Sequence, residues 1–155
     1  MGFRISGLSA DPFRHLYGLS DDALRRHGAL RYVADSKPGF PDRIEMRDAE
    51  IGEPLLLINH VCQPAATPYR ATHAIFIREG AERTYDRVDE VPEVMRNRLL
   101  SLRAYDTGGM MLDADLVDGR ELEALIARFF GNAQVDYIHA HNAKRGCYSG
   151  RIDRA

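Results

Sequence analysis

At 155 residues, with 45% hydrophobic and 28% charged residues, the chain has the make-up of one ordinary globular domain. That composition excludes disordered, collagen-like and coiled-coil classes, and a net charge of −2 speaks against a broad basic surface for nucleic acid. The longest aliphatic run, LLLI at 55–58, is far too short to cross a membrane.

The N-terminal stretch MGFRISGL lacks the apolar core of a signal peptide and reads as a strand at 3–8. A helix follows from Ser20, a natural N-cap, with Asp21 and Asp22 in the first turn where they complement the helix dipole. Leu19 and Leu24 sit at staple spacing, and Gly28 closes the helix. Strands are expected at 30–34, 43–47, 54–61 and 73–78. The runs at 55–58 and 74–77 are apolar on both faces, which predicts central strands. A helical turn follows Pro92. Strands at 99–106 and 110–117 lead to a second helix from Asp118, where Leu122, Leu125, Ile126 and Phe129 form one apolar stripe. Strands at 135–141 and 147–152 complete the chain. Short strands joined by tight turns, with two principal helices, predict an α+β fold built on a mainly antiparallel sheet, as one domain over 1–155.

Two hairpins fix expected neighbours. A three-residue loop at Thr107-Gly108-Gly109 puts Leu102 opposite Ala114 and Leu100 opposite Leu116. Arg103 then faces Asp113 as a cross-strand ion pair. In the last hairpin, a five-residue loop from Asn142 to Gly146 puts His141 opposite Cys147 and His139 opposite Ser149. Directly opposed Cβ atoms lie about 4.5–5.5 Å apart.

That hairpin end gathers two imidazoles, a thiol and a hydroxyl. His139, His141 and Cys147 supply the N/S ligands that zinc takes, and His60 with Cys62 could complete the set. A Cys–His pair is the other chemical reading, with His139, His141 and Cys147 catalytic and Asn142 orienting an imidazole. The plain alternative is a packed cysteine and hydrogen-bonding histidines. Arg103, Tyr105, Tyr69, Arg70 and Asn142 could hold an anionic substrate, although the favoured reading of Tyr69-Arg70 after Pro68 is a proline turn with a solvated arginine. Cys62 and Cys147 are too few for a disulfide framework and suit a reducing compartment.

Five segments resemble one family: PGFPDR (38–43), GEPLLLINH (52–60), PYRATHAIFIRE (68–79), LSLRAYD (100–106) and YIHAHNAKRGC (137–147). They are similar to the bacterial domain-of-unknown-function family 1203, nearly end to end. The resemblance implies a small cytoplasmic bacterial protein and supplies no activity. The sequence therefore leaves three readings open. The first is a small-molecule enzyme, metal-assisted (zinc) or without a cofactor. The second is a non-catalytic binding module for a small anionic ligand. The third is a module that dimerises through a sheet edge. Neither a nucleic-acid nor a membrane partner is expected.

Overall fold

Among the described residues nine strands form two sheets, and every pairing is antiparallel. The computed structural model describes residues 2–155; Met1, the start of the expected 1–155 span, lies outside the described residues. The strands are β1 (Phe3–Ser6), β2 (Leu30–Val33), β3 (Pro54–Gln63), β4 (Ala71–Arg78), β5 (Asp86–Val88), β6 (Leu99–Tyr105), β7 (Met111–Asp118), β8 (Tyr137–Asn142) and β9 (Tyr148–Arg154). The helices are α1 (Asp21–Arg26), α2 (Glu93–Arg96) and α3 (Leu122–Phe130). The larger sheet runs β5-β1-β9-β8-β6-β7 and the smaller β2-β3-β4. This is the α+β fold that the sequence predicts. Among the described residues no helix is long and apolar enough to cross a membrane.

Strand alternation gives the larger sheet two unlike faces. Ile5, Leu100, Leu102, Ala104, Ile138, Ala140 and Ile152 point to one side and are buried with Leu122, Leu125, Ile126 and Phe129 of α3. The paired residues Ser101–His141, Arg103–His139 and Tyr105–Tyr137 share the opposite, polar side. The smaller sheet lies against that polar side. Its Leu56, Ile58, Cys62, Ile75 and Ile77 are buried in one cluster with Leu24 of α1 and Tyr148 of β9.

The helix signals act as expected at α1, where the Ser20 hydroxyl accepts from the Ala23 amide at 3.1 Å and Gly28 takes a φ of 73°. At the second helix Asp118 caps a 3-10 turn, Gly119–Glu121, that leads into α3. Gly119 is required there, because an added Cβ would fall 1.7 Å from the Met95 carbonyl oxygen.

Several expectations are corrected. Residues 43–47 form no strand; they make a tight turn closed by a bridge between Pro41 and Asp48, with Asp42 buried beneath it. Asp42 accepts from the amides of Glu45 at 2.6 Å and Arg78 at 2.7 Å, so its carboxylate organises the turn. The run at 74–77 lies in β4, an edge strand whose outer-face residues are covered in part by aromatic contacts such as Phe40–Phe76. The first hairpin keeps its expected loop, with the Asp106 amide donating to the Met110 carbonyl at 2.9 Å. Beyond it the register slips by one, because Leu112 bulges out between the Tyr105–Met111 and Ala104–Asp113 pairs. Leu102 therefore faces Asp115, Leu100 faces Val117, and Arg103 faces Ala114 instead of Asp113. The slip turns Asp115 toward α3, where Arg128 holds it at 2.6 Å.

The last hairpin also differs. Asn142 and Cys147 close the turn through the Asn142 amide and the Cys147 carbonyl at 2.9 Å, which leaves a four-residue loop at 143–146. The tighter turn places His141 opposite Tyr148, and a bulge at Ser149 then places His139 opposite Arg151. Tyr148 joins the histidines: its ring centroid lies 5.2 Å from His139 and 5.8 Å from His141.

Candidate functional site

The site forms where the polar side of the larger sheet meets the inner side of the smaller one. On the smaller sheet, pairing Ile58 with Ile75 places His60 directly opposite His73. One residue of β3 is then in excess. Cys62 bulges between the Val61–Thr72 and Gln63–Ala71 pairs. Alternation from Leu56 and Ile58 points its thiol inward, where it donates to the Ala71 carbonyl at 3.5 Å. On the larger sheet, His139 and His141 alternate onto the same face of β8. The ring of His73 approaches that of His141 to 5.0 Å.

The result is a group of three ligand types, Cys62, His73 and His141, whose ligand atoms all lie within 4.8 Å of one another. Zinc bonds of about 2.0–2.3 Å set the edges of a tetrahedral N/S site at roughly 3.3–3.6 Å, so an inward shift of about 1 Å closes the group on an ion. The tautomer is suited to this. His141 Nδ1 donates to the Gly146 carbonyl at 3.0 Å, which leaves the Nε2 lone pair as the ligand. Gly146, with a φ of 79°, lets the loop bring that carbonyl back. His73 Nε2 is buried and has no hydrogen-bond partner among the described residues.

Electrostatics keep these imidazoles neutral. Burial, then the neighbouring charges of His141, Arg151 and Arg103, pulls His139 down to about 3. Burial outweighs the Gly146 hydrogen bond and brings His141 to about 4. Burial also lowers His73, followed by the charge of Arg103, and lowers His60, followed by that of His73. Burial pushes the Cys62 thiol up. Neutral imidazole is the form that binds a metal, and a bound cation would supply the charge that deprotonates the thiol.

His139 completes the inner wall. It is enclosed by Tyr105, Tyr137 and Tyr148, with ring centroids 5.1–5.2 Å away, and its Nδ1 is buried without a partner among the described residues. Tyr105 stacks on Tyr137 at 5.3 Å, and Tyr69 meets Tyr105 edge-on at 6.4 Å. Gln63 donates to the Tyr137 hydroxyl at 2.9 Å and ties the two sheets together.

The expected site residues thus divide. His139, His141, Arg103, Tyr105 and Tyr69 are drawn toward one region with Cys62. Arg70 stays exposed and donates to the Pro64 carbonyl at 2.6 Å. Cys147 and Asn142 form a separate contact: Arg43 Nη2 reaches the Cys147 sulfur at 3.1 Å and Asn142 Nδ2 approaches it at 3.6 Å. The thiol beside His141 is that of Cys62, because the tighter turn pairs Cys147 with Asn142 and so moves it off the register that would oppose His141. His73 was not among the sequence candidates. Its signal was the antiparallel match of the two apolar runs, which carries His73 to His60.

Fold and site together describe an α+β protein of two antiparallel sheets with a Cys/His/His group between them. The chain belongs to the family described as protein of unknown function (DUF1203), whose model matches residues 39–154. No curated protein and no solved structure matches it.

Proposed function

We propose that this protein binds one zinc-type divalent ion through Cys62, His73 and His141 and uses it on a small molecule held at the polar face of the larger sheet. The observation that carries this reading is the convergence of a thiol and two imidazoles, from three strands of two sheets, within 4.8 Å. Three protein ligands leave a tetrahedral ion one open position, the pattern of catalytic zinc. An ion so held polarises a bound carbonyl or lowers the pKa of a bound water. His139, neutral and 6.4 Å from His141 by ring centroid, is the nearest further imidazole for a proton at that position. Tyr69 and Tyr105 supply a wall for the ligand. A cytoplasmic setting, which keeps both free thiols reduced, belongs to the same proposal.

Elemental analysis after zinc loading and desalting tests this reading. The expected result is one equivalent in the wild type and a loss of ten-fold or more in affinity for Cys62→Ser, His73→Ala or His141→Ala. Cys147→Ser should retain the full equivalent. A wild type that takes up no metal, or a Cys147→Ser protein that loses as much as Cys62→Ser, would falsify the assignment.

A further inference from the structure

The charges on the polar face of the larger sheet are nearly all matched. Arg4 meets Asp86 at 2.5 Å, and Arg151 holds Asp153 at 2.9 Å. Arg103 is the exception. It lies on β6 opposite His139, and among the described residues it makes no hydrogen bond or ion pair. On its outer side the register places Ala114, an exposed residue too small to fill the space beside a guanidinium.

Its charge reaches the centre of the site all the same. Arg103 acts on Cys62, His73, His139, His141 and Tyr105. The other charged neighbours that depress the site histidines are cations too, Arg151 at His139 and Arg43 at His141. A divalent ion on one thiolate and two neutral imidazoles would leave a further net positive charge. The cluster therefore carries an excess of positive charge around a half-buried guanidinium fork that meets no acceptor among the described residues.

We infer that the small molecule bound at this site is a carboxylate, clamped by Arg103 beside the Cys62/His73/His141 centre with its body against Tyr105 and Tyr69. This rests on the metal reading above and names the ligand class that reading leaves open. The planar fork of Arg103 matches a carboxylate in two parallel hydrogen bonds. Tyr69, exposed and edge-on to the buried Tyr105, offers an aromatic flank for an unsaturated or aromatic body.

Cobalt substitution tests the inference. Cobalt(II) on a cysteine and two histidines gives visible and charge-transfer bands that respond to a ligand at or near the open position. Benzoate should perturb those bands saturably in the wild type. Arg103→Gln should keep the cobalt bands and weaken benzoate ten-fold or more, while Arg103→Lys, which keeps the charge and loses the fork, should fall between. Cobalt bands that ignore benzoate, or equal benzoate affinity in wild type and Arg103→Gln, would overturn this inference and leave the metal site standing. Tighter binding of inorganic phosphate than of benzoate would overturn the carboxylate assignment. Absence of cobalt bands would overturn the metal reading itself, and this inference with it.

Discussion

Arg43 shows how much a single side chain can carry in this protein. Its guanidinium is 2% exposed, and burial works against its charge. It donates to the carbonyls of Tyr148 at 2.9 Å and Pro41 at 2.7 Å and to the Cys147 sulfur. One residue thus pins the 41–48 turn to the start of β9, the strand that places Tyr148 beside the histidines. Nearby, Arg47 holds both oxygens of Glu53, at 2.7 and 3.0 Å, and that contact, ahead of an opposing burial effect, brings the carboxyl from 4.5 down to about 2. A carboxylate whose folded pKa is depressed stabilises the fold above its unfolded value and loses that effect as pH falls toward the folded value. Glu53→Gln should therefore be less stable than wild type by about 1 kcal/mol at pH 7, since the pair is partly exposed. Urea titrations at falling pH should show that gap closing between pH 4.5 and about 2. A gap independent of pH would assign the effect to packing alone. Such pairings were not legible in the sequence. Arg43 and Arg47 look alike there, and only tertiary structure buries one and pairs the other with Glu53.

The elements were legible where periodicity or capping marked them, and misread where one residue is inserted. The apolar stripe of α3 and the Ser20 cap of α1 stand as the sequence predicts them. Leu125, 6% exposed at the centre of that stripe, should cost about 2–5 kcal/mol when cut to alanine, read from the urea midpoint at unchanged slope. A loss near 0.5 kcal/mol would mean that the helix face is not where it packs. β5 escaped notice because its three residues, Asp-Arg-Val, carry no alternation. The bulges at Leu112, Ser149 and Cys62 are a different failure. Each adds one residue to one strand, and period-two reasoning beyond it then assigns every side chain to the wrong partner. At the last hairpin the shorter turn displaced Cys147 and Tyr148 together, and the Ser149 bulge then carried His139 to Arg151. At Cys62 plain alternation from Leu56 and Ile58 brings the thiol to the inner side, and the extra residue instead leaves the following Gln63 buried as well. The histidine pair on β8 was readable, since alternation holds along a strand whatever its neighbour does.

At the scale of the whole molecule, the site exists only because two sheets meet. Cys62 and His73 lie on the smaller sheet and His141 on the larger, so neither sheet alone holds the group. The arrangement also reaches back to the first residues. β1 lies between β5 and β9, with Ile5 fully buried, and β2 forms an edge of the smaller sheet, yet both precede residue 39, where the family match begins. The segment matched by the family model is therefore shorter than the described fold, since each sheet takes a strand from before residue 39. A chain trimmed to 39–154 keeps every proposed metal ligand but has a slot in the larger sheet one strand wide, flanked by β5 and β9. Such a chain should lose its cooperative urea transition and self-associate through those bared edges. Adding residues 1–38 as a separate peptide should restore the transition by strand complementation, in the manner of a donor strand filling an open sheet. A trimmed chain that melts as sharply as the full one would show that β1 is an accessory. Complementation would make the N-terminal segment a removable part, and with it a handle for assembling the metal site on demand from two pieces.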